Sequence, residues 1–260
     1  MRDSAVINRL GFNNEGHAAL LARLAARHGK KGVVGVNIGA NKDSADRIAD
    51  YEAGIRRFAP LGSYLAVNIS SPNTPGLRNM QARTELAELL SRVTAARAGL
   101  PREEDRGRPI LLKIAPDLAE AELEDVAAEV KIHPIQGVIV SNTTLSRDDL
   151  ADQTLAREAG GLSGVPLFAR STAVLARMRR LLGPGATIIG VGGISSADTV
   201  LEKIRAGADL VQLYTGLIYG GPGLPARILA DIVRFLDREG VPSVGALRDR
   251  HVERWASRPI

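Results

Sequence analysis

Cysteine is absent from the 260-residue chain. Disulfides, thiolate metal sites and a cysteine nucleophile are therefore excluded. Histidine is scarce. His17, His28, His133 and His251 are scattered without ligand spacing, so no metal site is expected. Nine aromatic residues are too few for a base-stacking platform, and no nucleic-acid partner is expected. Long apolar runs are also missing. The longest uncharged apolar stretch, Ala186 to Ile194, is about half of what a membrane-spanning helix needs. Met1 to Leu10 lacks the apolar centre of a secretion signal.

What remains is ordinary globular usage, with 45% apolar and 24% charged residues. The net charge is +5 and the isoelectric point about 9.8. Arginine supplies 28 of the 34 basic residues and is spread along the chain. Solvated helix faces explain such a spread. Arg177, Arg179 and Arg180 flank the stripe Val174, Leu175, Met178, Leu181 and are expected on a face of this kind. The charge also suits small anionic ligands.

Six short β-branched runs read as buried strands: Gly32–Ile38, Tyr64–Ile69, Ile110–Ile114, Gly137–Ser141, Thr187–Val191 and Leu210–Tyr214. They are continuous rather than alternating, as in strands covered on both faces. Helical stripes lie before, between and after them: Leu20, Leu21, Leu24; Ile48, Tyr51, Ile55, Phe58; Leu86, Leu89, Leu90, Val93; Leu123, Val126, Ala127, Val130; Val200, Leu201, Ile204; and Leu224, Ile228, Leu229, Ile232, Phe235. Strict alternation of strand and helix gives a parallel sheet, either a TIM barrel or a doubly wound fold. No linker splits the chain, so residues 1–260 read as one domain. Arg102–Arg108 reads as an exposed charged connection, and the tail from Gly240 as loosely patterned.

Polar chemistry follows nearly every strand: Asn37, then Asn68 with Ser70 and Ser71, Lys113, Asn142 with Thr143, Gly192 with Gly193, and Thr215 with Gly216. A site drawn from many strand ends favours the TIM barrel over the doubly wound fold. A barrel needs eight strands and the pattern supplies six. Two adjacent glycine turns, Val191–Ile194 and Leu213–Gly216, match the phosphate site that many barrels build after strands seven and eight. The six runs are then strands three to eight, and the first two barrel strands are expected to be missing from the N-terminal side.

The segment Val67–Arg78 (VNISSPNTPGLR) crowds Asn68, Ser70, Ser71, Asn73 and Thr74 onto a proline-braced strand end. One or two such residues would be explained by helix capping, but five rigid donors and acceptors suit a planar ligand with carbonyl, N–H and carboxylate groups. Lys113 stands in an otherwise apolar strand, where an unpaired lysine is rare. It either reaches solvent or faces an electron-rich group. Ser141–Thr144 repeats the amide-plus-hydroxyl pattern. Gly160–Gly164 and Asn8–Gly16 are glycine-containing polar segments that residue type alone leaves as loops.

Taken in order, NRLGFNNEG, GVNIGANK, VNISSPNTPGLR, LLKIAPDL, SNTTL, GGLSG, GVGGI and LYTG run from Asn8 to Gly216. The set resembles the quinone-dependent class of dihydroorotate dehydrogenases. The resemblance implies an FMN-containing TIM barrel that oxidises dihydroorotate to orotate in pyrimidine biosynthesis, with a membrane quinone as electron acceptor. It implies that Ser71 is the base that takes the C5 proton while hydride leaves C6 for the flavin. The other class of the family carries cysteine there, so a cysteine-free chain agrees with the quinone class. The same resemblance assigns Asn8, Arg9, Leu10, Gly11, Phe12, Asn68, Asn73, Asn142 and Thr143 to the substrate. It assigns Asn37, Asn68, Lys113 and Ser141 to the flavin, and Gly164, Gly193, Tyr214 and Thr215 to the region of its phosphate. Neighbouring hydroxyls such as Thr74, or exclusion of water, would have to help a serine act as base.

Family members carry more chain ahead of the NR-GFNN segment, including a membrane-docking helical region. That implies a peripheral position on the cytoplasmic face of the cell membrane for the family, and a soluble, cytoplasmic product for this chain alone. The expectation is therefore an N-terminally incomplete barrel that binds FMN weakly unaided. The alternatives are an impaired fragment and another FMN-barrel pyrimidine reductase.

Overall fold

The computed structural model describes residues 3–148 and 150–260; Met1, Arg2 and Asp149 lie outside the described residues, as does that part of the Met1–Leu10 segment. The strands are β1 (Ala5–Asn8), β2 (Gly35–Ile38), β3 (Tyr64–Asn68), β4 (Ile110–Ile114), β5 (Gly137–Val140), β6 (Gly161–Gly164), β7 (Thr187–Val191) and β8 (Leu210–Gln212). Six of them form one parallel sheet in the order β2-β3-β4-β5-β7-β8. These are the six runs read from the sequence, trimmed at some ends: β2 starts at Gly35, β3 stops at Asn68, β5 at Val140 and β8 at Gln212.

The sheet is curled. Gln212 Nε2 on β8 donates to the Tyr64 hydroxyl on β3 at 3.3 Å, although the two strands stand second and sixth in the sheet. Gly35 makes room for this contact, since a Cβ there would lie 2.0 Å from a Tyr64 ring carbon. The arrangement is part of a TIM barrel, with β2 and β8 as its open edges. A small apolar cluster of Ala66, Leu111, Ile139 and Ile189 lines the concave face.

The helices are α1 (Gly16–Arg27), α2 (Arg47–Phe58), α3 (Arg83–Ala98), α4 (Glu103–Arg106), α5 (Glu120–Ile132), α6 (Leu167–Leu182), α7 (Ala197–Arg205), α8 (Thr215–Gly220), α9 (Leu224–Glu239) and α10 (Val252–Ala256). The large core lies between the sheet and this helical layer, and it takes in the stripes of α2, α3, α5 and α7. Local chemistry sets the helix ends. Asp46 caps α2 by accepting from Ala49 N at 3.0 Å. Ser196 caps α7 by accepting from Thr199 N. Pro225 opens α9 and Gly240 closes it in the left-handed region. Among the described residues, no helix is long and apolar enough to cross a membrane.

Four readings of the sequence are corrected. First, Gly161–Gly164, which residue type alone leaves as loop, is strand β6 and pairs as an antiparallel ribbon with β1, Ala5 opposite Gly164 and Asn8 opposite Gly161; of the Asn8–Gly16 segment, Asn8 is the residue that joins the ribbon. Second, Arg177 and Arg179 are buried instead of solvated. Arg177 donates to the carbonyls of Ala256 and Arg258, and Arg179 to Asp209 and three carbonyls. Third, the acceptors come partly from the tail, which is ordered: α10 packs on α6, and Trp255 is buried. Fourth, Leu229 faces outward from α9 and is exposed. The 102–108 segment is largely exposed, as expected, but encloses one turn of helix and a buried Asp105.

Candidate active site

The C-terminal ends of the parallel strands open into a cleft. A cavity of about 390 Å³ is lined by Asn8, Gly11, Phe12, Asn37, Asn68, Ser71, Asn73, Lys113, Asn142, Thr143 and Tyr214. A second cavity, of about 660 Å³, shares Asn8, Gly11, Lys113, Asn142, Thr143 and Tyr214 with it and continues to Leu10, Ser141, Gly164, Gly193 and Thr215. The two are one continuous cleft, and together they collect every residue that the resemblance assigns to a ligand, and Ser71, with the exception of Arg9; Ser70 and Thr74 do not line it. Arg9 turns away against a separate cavity, where it pairs with Glu158 at 2.9 Å and donates to the Ala159 carbonyl.

At the amide end the strand termini are cross-linked by neutral groups. Asn68 Oδ1 accepts from the Ser70 amide at 3.2 Å, the Ser70 hydroxyl at 2.8 Å and Asn142 Nδ2 at 3.4 Å. Asn142 Nδ2 also donates to Ser70 Oγ at 2.9 Å, and its Oδ1 accepts from Thr143 N. Asn73 Nδ2 reaches across to the carbonyl and side-chain oxygens of Asn8, at 3.1 and 3.2 Å. This contact ties the β3 loop to the end of the β1 ribbon. Ser71 Oγ accepts from Asn73 N at 3.3 Å and is nearly enclosed, with 8% exposure. Thr74, considered as a helper for Ser71, is buried and makes no hydrogen bond to it among the described residues.

Lys113 is the one charged residue lining either cavity, among the described residues. Its ammonium has no protein acceptor there. Burial pushes its pKa below the ordinary lysine value. It therefore faces the cleft and not bulk solvent, which decides between the two readings of this residue. A cleft with one cation and no carboxylate favours an anionic or electron-rich ligand.

Two residues that the sequence reading quoted but gave no role hold this end together. Arg78 donates through Nε to the Ser70 carbonyl at 3.1 Å and through Nη2 to the Thr143 carbonyl at 2.9 Å. Its Nη1 pairs with Asp117 at 2.7 Å. Asp117 in turn accepts from Leu145 N at 2.9 Å and from the Thr144 hydroxyl. One guanidinium thus fixes the peptide before Ser71 against the peptide after Thr143. Its partners lie 39 and 65 residues away, so no local spacing announces them.

The other end is built from glycine turns. Gly193 has φ +71°, and a Cβ there would lie 2.4 Å from Phe168 Cβ, so its backbone rests directly on the first turn of α6. Thr215, at the start of α8, donates to Ser163 Oγ at 2.8 Å. A phosphate at the Gly192–Gly193 turn would draw on N–H donors near the start of the following helix. Of the amides ahead of α7, those of Ser195 and Ser196 are taken up by Thr199 Oγ1. The rim is apolar: Leu10, Val165, Tyr214 (81% exposed) and Ile218 stand open beside the cavity.

Comparison with known proteins agrees with this geometry. The family model for dihydroorotate dehydrogenase matches residues 1–236. A protein from Mesorhizobium japonicum described as dihydroorotate dehydrogenase (quinone) is 69% identical over 99% of this chain and 71% of its own length. One from Rhizobium etli with the same description is 62% identical over 100% of this chain and 72% of its own length. Among solved structures, ligand-free DHODH from Eimeria tenella superposes with a TM-score of 0.90 at 33% identity, covering 99% of this chain and 76% of that one. The ferulenol complex from the same organism gives 0.89 at 32%, covering 95% and 71%. Fold, cleft and sequence converge, and the chain belongs to the dihydroorotate dehydrogenase family, among its quinone-dependent members.

Proposed function

We propose that this chain, a single domain over residues 1–260, oxidises dihydroorotate to orotate and delivers the electrons to a quinone. The observation that carries the reading is the cleft itself, with a nearly enclosed Ser71 and an unpartnered Lys113 set among neutral amides. Dihydroorotate offers a carboxylate, two ring N–H groups and two ring carbonyls. Asn8, Asn68, Asn73, Asn142 and Thr143 present both donors and acceptors for them. No lining carboxylate repels the anion, among the described residues.

The residues present also fit FMN. The concave cluster around Ala66 and Ile139 offers an apolar support for a flat ring, with Asn37, Ser141 and Lys113 at its edges. The Gly193 cradle, which a Cβ would fill, sits beside Gly164, Tyr214 and Thr215 for the phosphate. When bound, FMN would accept the hydride and pass the electrons on to quinone. The chain supplies the proton chemistry. Ser71 Oγ takes the C5 proton, and the Asn73 N–H that it already accepts favours negative charge on that oxygen. Arg78 and Asp117 keep Ser71 opposite Asn142 and Thr143. Enclosure excludes water, which a weak base needs. The open apolar rim of Leu10, Val165, Tyr214 and Ile218 supports quinone arriving from a membrane surface to which the protein is peripherally apposed.

Anaerobic mixing of the flavin-loaded chain with dihydroorotate tests the reading. The expected result is bleaching of the flavin by dihydroorotate and not by dihydrouracil, followed by recolouring with a short-chain quinone. Bleaching by dihydrouracil alone would assign the cleft to another pyrimidine reductase.

A further inference from the structure

Lys203 is fully buried, with 0% exposure, between α7 and α6. Its Nζ donates to Ser171 Oγ at 2.6 Å and lies 5.1 Å from the centre of the Phe168 ring. Among the described residues no carboxylate stands within ion-pair reach of it. A wholly enclosed lysine is rare unless an anion pairs with it. Burial alone drives its pKa well below the ordinary lysine value. Its charged form lacks a counter-charge here, and an anion brought close would favour it.

The surroundings show where one would sit. Ser171 Oγ, which holds Lys203, is 3.4 Å from the Gly192 carbonyl. Phe168, whose ring faces the ammonium, is the residue on which the Gly193 backbone rests. Lys203 therefore lies directly behind the Gly192–Gly193 turn. That end of the cleft is lined by glycines, hydroxyls and apolar groups. Its one charged lining residue, Lys113, belongs to the amide end shared by both cavities. A phosphate monoester held at the turn would find no cation on its own side of the wall.

We propose that Lys203 is a positioning residue for the phosphate of the flavin: a buried counter-charge that acts through Ser171 and the Gly192–Gly193 turn without touching the ligand. The inference rests on the flavin reading above. The attraction works through a medium of low effective dielectric, where one unit charge retains much of its force over several ångströms. Riboflavin has the same ring and no phosphate, so it separates this role from simple structural support.

The test is titration of the whole chain with FMN and with riboflavin, followed by quenching of flavin fluorescence, for the wild type, Lys203→Met and Ser171→Ala. The wild type is expected to prefer FMN. Lys203→Met should lose about tenfold or more of its FMN affinity with riboflavin affinity unchanged. Ser171→Ala should show a smaller loss of the same selective kind. Equal weakening of both flavins, or unchanged FMN affinity, would overturn the proposal. If Lys203→Met does not fold, Ser171→Ala decides on the same criterion. A wild type that binds neither flavin, or binds both alike, overturns the phosphate site itself and this inference with it.

Discussion

The amide cluster in the cleft and the ion-pair cluster around α10 are both polar and both enclosed, yet they are made of different residue types. In the cleft, Asn68, Ser70 and Asn142 bind one another and Asn73 binds Asn8, all through neutral groups. At the tail, Arg179 pairs with Asp209, which also takes Ile188 N and Arg248, while Glu202 accepts from His251 and Trp255. Amides and hydroxyls carry several donors and acceptors each, so a few internal bonds leave capacity for a ligand. Paired charges are spent largely on each other, because a buried charge without a counter-charge is costly. The first cluster is suited to recognise, the second to hold the last twenty residues against α6 and α7.

The contrast can be broken from either side. The largest effect is expected at Ser71. Ser71→Ala should cut the rate of flavin reduction by dihydroorotate by roughly 10²–10⁴-fold, with flavin binding and melting temperature kept. Stopped-flow reduction reads this, and a full-speed mutant would remove Ser71 from its role. Next comes the clamp. Arg179→Met leaves Asp209 short of its most buried partner and should cost about 3–5 kcal/mol in urea unfolding, as removal of one member of a buried pair does. Wild-type stability would mean that the pair contributes nothing net.

The smallest effect is on pH. Burial raises the Glu202 pKa, but hydrogen bonds from Trp255 and His251 outweigh it and hold the carboxyl below its ordinary value. Burial likewise opposes the hydrogen bonds and charges that lower Asp209. A carboxylate depressed in the folded state contributes stability above its unfolded pKa and loses it as pH falls through the folded value. The clamp should therefore be unaffected by these groups from pH 8 to 5 and weaken below roughly pH 4. Trp255 is the single tryptophan and donates to Glu202 at 2.7 Å, so its fluorescence reports the change directly. An acid transition that Glu202→Gln leaves in place would assign it elsewhere.

The sheet was legible because a strand covered on both faces is a continuous apolar run, as β3, β4, β5 and β7 are; the edge strands β2 and β8 share the run but are open on part of their surface, with Leu210 exposed. The amide array was legible because five polar side chains around two prolines have no other economical explanation. The β1–β6 ribbon was not. Gly-Leu-Ser-Gly shows no strand preference, and its partner lies some hundred and fifty residues away. Arg179 was misread because a stripe of apolar residues says which face is buried, not how far an arginine beside it can fold inward to reach acceptors from another element. Lys203 offered a signal that was overlooked. It lies three residues after Val200 and next to Ile204, on the inward side of α7, where a polar residue needs a reason. Nothing local marks the tail as ordered, since its partners are supplied by α6 and α7.

The ribbon also sets an order of assembly. Asn8 donates through its side chain to the Gly161 carbonyl, 153 residues along the chain, and accepts from Asn73. Contacts of such separation form only after a very long loop has closed. This cleft-lining residue near the start of the sequence is thus among the last to find its place. During synthesis Asn8 must wait for its ribbon partner until β6 has left the ribosome.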